Sequence, residues 1–143
     1  LEAVAGLHPF RFAVDPGSIF SPHASAAGKA ILASLPKRRV DEILANYTFE
    51  KFTDATITDR TAFDQALAET RERGYGIDDA EALDGVSCIS APIHNASGEA
   101  VAAITVTAPP VRMGHVGDKT FDRFAKAVMA AAQRASQKLG FHQ

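Results

Sequence analysis

The chain has 143 residues, is 46% hydrophobic and 22% charged, and carries a formal net charge of −2. These values suit one globular domain with a real core and do not indicate disorder. The single cysteine excludes an internal disulfide and a multi-thiolate metal site. Lys and Arg are scattered along the chain, which disfavours nucleic-acid binding by this chain itself. No apolar run approaches the ~18 residues of a membrane span.

Strand patterns followed by helix patterns fill the first half of the chain. Ser25 is a typical N-cap for a helix that runs to Ser34, and Pro36 separates this helix from the next one. Asp59 is a typical N-cap for a third helix, which Gly74 ends. The predicted elements are strands over 1–5 and 10–14, a turn over 15–17, helices over 26–34, 40–47 and 60–73, and a loop or short strand over 49–57.

The second half predicts a hairpin between an acidic loop and a long helix. A short extended segment over 75–77 precedes the acidic loop, which runs from Asp78 to Gly85. The last helix is predicted from Asp118 to Leu139, with Gly140 stopping it. Helices and strands alternate without the strict rhythm of a parallel sheet. We therefore predict an α+β fold with an antiparallel sheet that helices cover on one side.

The hairpin is the most informative stretch for function, because its two strands have unlike faces. Two β-rich runs, 85–94 and 99–107, flank a turn over 95–98. If Asn95 faces Gly98, Cys88 faces Thr105 and Val86 faces Thr107, and side chains alternate between the faces. One face is uniformly apolar. The other carries small apolar groups, a thiol and three hydroxyls without charge, which is typical of a pocket wall: Val86, Cys88, Ser90, Val101, Ala103, Thr105 and Thr107.

Four segments in order along nearly the whole chain carry a family resemblance: 25–36 (SAAGKAILASLP), 56–75, 78–93 and 103–107 (AITVT). Together they resemble the IclR family of bacterial transcription regulators. The resemblance implies that residues 1–143 form a single effector-binding domain with a GAF-like fold, N-terminally incomplete. It further implies a cytoplasmic homo-dimer or tetramer that binds a small-molecule effector and contacts DNA only through an N-terminal winged helix-turn-helix domain, to which no residue here corresponds.

The resemblance also implies an effector pocket built from several segments. Its matching positions here are Phe12, Phe20, Ala26, Ala27, Asp78, Val86, Cys88, Thr105 and Thr107. The first N–H groups of a helix lack intrahelical partners and favour an anion, and the small residues after Ser25 allow its approach. We therefore expect a small organic acid as the effector, with the two phenylalanines around its carbon skeleton.

Other interpretations of the same residues remain open at this point. Ser25 and the alanines can serve only capping and close packing, and Asp78 can be a solvated turn residue. A small GAF-like enzyme would need Cys88 as nucleophile with a base such as His23 or His94, and no nucleophile–base–orienter set is evident. A pure dimerisation module would need no polar pocket face. The five histidines show no ligand spacing, so we predict neither enzyme activity nor a metal or other cofactor.

Overall fold

The computed structural model describes Val4, Asp15 and residues 17–142 of the chain. Apart from Val4, the strands predicted over 1–5 and 10–14 lie outside the described residues, and so does Phe12. The elements are a 3₁₀ turn Pro22–Ala24, helices α1 Ala26–Ser34, α2 Lys37–Leu44 and α3 Arg60–Arg73, strands β1 Gly76–Asp79, β2 Ser87–His94 and β3 Ala100–Ala108, and helices α4 Pro110–Met113 and α5 Lys119–Lys138.

Local capping signals set the ends of α1 and α3 as predicted. The Ser25 hydroxyl accepts a hydrogen bond from the Gly28 N–H at 3.1 Å. The Asp59 carboxylate accepts one from the Ala62 N–H at 2.9 Å. Gly74 ends α3 at φ 82°, where glycine adopts the left-handed conformation without steric cost. The segment between α2 and α3 contains no strand, and α4 was not predicted.

The described strands form an antiparallel sheet in the order β1-β2-β3. The predicted hairpin register was wrong by two residues, because Cys88 pairs with Thr107 and Ser90 pairs with Thr105. The turn is wider than expected, with the Asn95 N–H bonded to the Glu99 carbonyl, and the ladder is irregular between Ile93 and His94. Since a two-residue shift preserves the side-chain faces, the predicted division into a polar and an apolar face is correct.

The apolar face packs against α5, where it forms the larger hydrophobic core. Ile77, Ile89 and Ala91 contact a helix stripe that includes Phe121 and Val128, all of them at most 7% exposed. The smaller core joins α1, α2 and α3 through Leu32, Ala33, Val40, Leu44, Phe63 and Leu67. Within residues 17–142, none of the helices has the length and apolar character needed to cross a bilayer.

Helix α1 packs against the polar face, so helices cover both sides of the sheet. The α+β class with helices packed on an antiparallel sheet is confirmed, but the expectation that they cover only one side was wrong. Gly76 makes the second layer possible, since a Cβ at that position would lie 2.2 Å from the Ala26 carbonyl oxygen. The sheet therefore packs its hydroxyl-bearing face against α1 at β1, while Thr105 on β3 remains exposed.

Candidate functional site

The polar side chains of the sheet lie in two rows that run across the three strands. One row holds Asp78, Cys88 and Thr107, and the next holds Gly76, Ser90 and Thr105. The Cys88 thiol lies 3.3 Å from the Thr107 hydroxyl. The Ser90 and Thr105 hydroxyls are 2.8 Å apart, and Ser90 donates to the Ile104 carbonyl at 3.1 Å. Four of the residues predicted for the pocket are therefore neighbours on one face: Asp78, Cys88, Thr105 and Thr107.

Asp78 is a buried carboxyl group that also shapes the turn after β1. It is only 4% exposed, so the interpretation as a solvated turn residue was wrong. Its Oδ1 accepts hydrogen bonds from the Glu81 N–H at 2.8 Å and the Ala82 N–H at 3.4 Å. Burial raises the pKa of this carboxyl, while the two N–H donors and the Lys29 ammonium oppose that shift. The proton occupancy of the Asp78 carboxyl therefore depends on how strongly these groups oppose the effect of burial.

Cys88 lacks the features of a nucleophile. Burial raises the pKa of its thiol to about 11, although the Thr107 hydroxyl acts in the opposite direction. The thiol is therefore protonated at neutral pH, and only the thiolate would be reactive. In this position Cys88 behaves as a small, weakly polar part of the wall.

His23, a candidate base for Cys88, makes other contacts with both ring nitrogens. The residue is 0% exposed, with Nε2 at 2.8 Å from the Glu50 carbonyl and Nδ1 at 2.7 Å from the Tyr47 hydroxyl. Because a carbonyl only accepts, Nε2 must donate, and neutral His23 accepts from Tyr47 at Nδ1. The ring also packs against Phe49 and Phe52. Within the described ranges, no group of three or more His, Cys, Asp or Glu residues is arranged to hold a metal ion.

The beginning of α1 offers fewer free donors than its sequence suggested. Ser25 engages the Gly28 N–H. A Cβ on Gly28 would lie 2.4 Å from the Cα of Pro22, so this glycine makes room for the protein's own backbone. In the described part of the chain, the N–H groups of Ala26 and Ala27 have no hydrogen-bond acceptor. These two groups are therefore the donors that the helix start leaves for a ligand, at one residue that is 1% exposed, Ala26, and one that is half-buried, Ala27.

The two remaining described candidates lie at the margin of this face. Val86, which is 7% exposed, immediately precedes β2, and its N–H and carbonyl close the acidic loop by bonding to Leu83 and Ala80. Phe20 lies ahead of the 3₁₀ turn and is 47% exposed. The structure thus brings Asp78, Cys88, the two threonines and α1 together, and leaves Phe20 at the surface.

Sequence reasoning missed a buried ion pair beside this site. Lys29, on α1, is 2% exposed, and its ammonium lies 2.5 Å from both Glu81 carboxylate oxygens and 2.8 Å from the Ile77 carbonyl. Burial raises the pKa of Glu81, and the Lys29 charge opposes the shift. A signal was present in the apolar run AAGKAILA, because a lysine that such a helix buries needs a charged or polar partner.

Two threonines from the segment between α2 and α3 fix the acidic loop. Thr53 donates to the Ala80 carbonyl at 2.7 Å, and Thr56 donates to the Glu81 carbonyl at 2.6 Å. Ala80 has a positive φ of 57°, which a non-glycine residue adopts at some cost. These contacts hold the loop against the site instead of leaving it in solvent.

A separate cavity of about 330 Å³ lies at the other end of α1. None of the described site candidates is among its lining residues, which are Ala30, Ala33, Ser34, Thr70, Arg71, Gly74, Pro92 and His94. It is therefore distinct from the candidate site, although Pro92 lies on the same face of β2 as Cys88 and Ser90.

Comparison with known proteins relates this geometry to a family. A profile described as "Bacterial transcriptional regulator IclR C-terminal" matches residues 4–137. The HTH-type transcriptional regulator BhcR of Paracoccus denitrificans is 39% identical over 121 residues, which are 85% of this chain and 42% of BhcR.

Two solved structures share the fold. The IclR protein of Thermotoga maritima superposes with a TM-score of 0.88 at 25% identity, covering 96% of this chain and 55% of that one. The inducer-binding domain of PobR from Acinetobacter, solved as a double mutant with 3-hydroxybenzoic acid, gives a TM-score of 0.72 at 26% identity, covering 82% and 66%.

The relatives identify the protein family and the domain to which this chain corresponds. The chain spans about half the length of the curated relatives it matches. These relatives are transcriptional regulators, which confirms the prediction that the chain is not an enzyme and removes the alternative that used Cys88. The GAF-like α+β fold predicted from the resemblance is that of the structural neighbours. The chain therefore belongs to the IclR family of bacterial transcriptional regulators and corresponds to its C-terminal, effector-binding domain.

Proposed function

We propose that this domain senses a small organic acid at the polar face of the sheet, between β2, β3 and the beginning of α1. The observation that carries the proposal is the row of Asp78, Cys88 and Thr107, which shares a face of the sheet with Gly76, the residue on which α1 packs. Two N–H groups at a helix N-terminus suit a carboxylate, and the hydroxyls and Asp78 suit further oxygens on the same molecule. The solved complex of PobR supports an organic acid, since its ligand is 3-hydroxybenzoic acid.

The full set of pocket residues is part of this proposal. Thr105 is exposed on the face and Thr107 is half-buried, so both hydroxyls lie where a ligand can reach them. Phe12, Phe20 and Val86 would surround the carbon skeleton, while Ala26 and Ala27 provide the helix N–H groups. Because the Lys29 ammonium beside the site is already paired with Glu81, the site suits a single carboxylate at the N–H groups of α1 better than a polyanion.

The proposal extends to what the binding controls. We propose that residues 1–143 act as one effector-binding and oligomerisation domain, in a homo-dimer or tetramer in the cytoplasm. DNA would be bound by a winged helix-turn-helix domain outside these residues. The effector would change DNA binding through its differential affinity for two arrangements of the subunits. Light scattering over a range of protein concentrations tests the assembly, and a monomer at every concentration contradicts it.

A screen with two variants tests the site. Small organic acids, including glycolate and 3-hydroxybenzoate, are titrated while the melting temperature is followed, since a ligand of the native state stabilises it as the logarithm of its concentration above Kd. Ala27→Leu should block the site, and Thr105→Val should weaken binding by about 1 kcal/mol through one lost hydrogen bond. Thr61→Val, at an exposed position of α3, is the matched control. Parent-like affinity in both site variants would place the site elsewhere.

A further inference from the structure

The ion pair between Lys29 and Glu81 connects the two walls of the candidate site. Lys29 belongs to α1 and Glu81 to the loop after β1, and their side chains are 3% and 11% exposed. A buried pair of this kind contributes little net stability compared with apolar side chains of similar volume, because two charges lose their hydration. A role in positioning neighbouring groups explains it better than a role in stability.

The contacts of the pair form a closed ring through Asp78. Lys29 contacts the carboxylate of Glu81 and also the carbonyl of Ile77, the residue that precedes Asp78. The Glu81 N–H in turn donates to the Asp78 carboxylate at 2.8 Å. One ammonium group thus holds both ends of the turn that carries Asp78. Lys29 lies one helical turn beyond Ala26, so the same ammonium group connects the Asp78 loop to the end of α1 where the N–H groups of Ala26 and Ala27 lie.

We propose that Lys29 and Glu81 are positioning residues of the effector site, which keep the Asp78 carboxyl at a fixed distance from the N–H groups of Ala26 and Ala27. The effect of this positioning on effector selection rests on the proposed function. With both groups fixed, one small molecule engages the helix start through its carboxylate and Asp78 through a hydroxyl. The pair thereby selects hydroxylated acids over acids that lack the hydroxyl, as a site built to bond a hydroxyl rejects its absence.

The test replaces both charges together. Removing one partner leaves an unpaired buried charge, so the principal variant is Lys29→Met/Glu81→Leu, which keeps the volume and removes both charges. The control is Lys51→Met/Asp54→Leu, which removes an exposed ion pair in the segment between α2 and α3. Lys29→Gln/Glu81→Gln is the fallback if the principal variant does not fold, since it also removes both charges and keeps a polar side chain at each position.

Two readouts separate this inference from the proposed function. Without any ligand, amide hydrogen exchange at positions 81 and 82 should become about tenfold faster in the double variant, while the β2 amides keep their protection. The second readout is the preference for a hydroxylated acid. It is measured as the ratio of Kd for benzoate to Kd for 3-hydroxybenzoate, and as the ratio of Kd for acetate to Kd for glycolate. We expect this preference for the hydroxylated acid in the parent and the control, and its loss in the double variant.

The two readouts can fail independently. Unchanged exchange at positions 81 and 82 in a folded variant overturns the inference, and so does an unchanged hydroxyl preference. Faster exchange together with a parent that binds none of the acids supports the positioning of Asp78 and contradicts the proposed function instead. With Lys29→Gln/Glu81→Gln, the same directions of change apply to both readouts.

Discussion

Gly76→Ala tests the close packing of α1 on the polar face of the sheet. The added Cβ would lie 2.2 Å from the Ala26 carbonyl oxygen and 3.0 Å from the Ala30 nitrogen. Both neighbours are backbone atoms of one helix, so no side chain can turn away. The helix must move by about 1 Å to restore contact distances, and forced overpacking of this kind costs about 3 kcal/mol.

Heat and urea both measure the stability that Gly76→Ala removes. For a domain near this size, 1 kcal/mol corresponds to about 3 °C, so the substitution should lower the melting temperature by about 10 °C. Urea unfolding should show a lower midpoint with an unchanged slope. Because α1 forms one wall of the candidate site, acid binding should weaken as well.

Gly85→Ala is the matched control, because Gly85 has a positive φ and open space around it, whereas Gly76 is crowded by α1. Gly85 has a φ of 74°, and a Cβ added there would have no heavy atom within 4 Å, so alanine at this position meets only backbone strain. We expect a cost of about 1 kcal/mol. If Gly76→Ala destabilises the domain no more than Gly85→Ala does, α1 does not pack on β1 as described.

Three further predictions concern single groups and the whole chain. Cys88→Ser should retain the fold and most acid binding, and the parent thiol should react with a disulfide reagent far more slowly when folded than in denaturant, because burial raises its pKa to about 11; equal rates would contradict this. The raised pKa of Asp78 means that its contribution to stability is present at low pH and is lost as pH rises through the folded-state value. The stability of Asp78→Asn relative to the parent should therefore increase in urea titrations as pH rises above about 4, the ordinary pKa of an aspartate, and a constant difference would refute the assignment. The isolated chain, with its net charge of −2, should show no tight sequence-specific DNA binding in an anisotropy titration at physiological salt.

Local signals in the sequence predicted the helices and the faces of the hairpin. Ser25, Asp59 and Gly74 act within one helical turn, so their effect is readable without the rest of the fold. The faces of β2 and β3 were also predictable, because the alternation has a period of two. The register could not be predicted, since it depends on the width of the turn and on an irregularity beside His94 that no residue in the sequence indicates.

Contacts between distant segments were beyond local signals. Lys29 and Glu81 are separated by 52 positions, and only the fold shows that they meet. The packing of α1 on the polar face depends on Gly76, whose role becomes visible once Ala26 lies above it. Of the candidate site, the sheet residues followed from alternation, while the depth of Asp78 required the tertiary structure.

The wall of the candidate site satisfies its own hydrogen bonds. Cys88 pairs with Thr107, Ser90 with Thr105, and among the described residues no buried side-chain oxygen or nitrogen lacks a partner. At these side chains, unlike at the N–H groups of Ala26 and Ala27, an arriving molecule must therefore exchange existing bonds for new ones, and the net gain per exchange is only about 1 kcal/mol. We expect modest affinity and rapid release as a consequence. Because the effector dissociates quickly, the bound fraction of such a regulator changes as soon as the effector concentration changes.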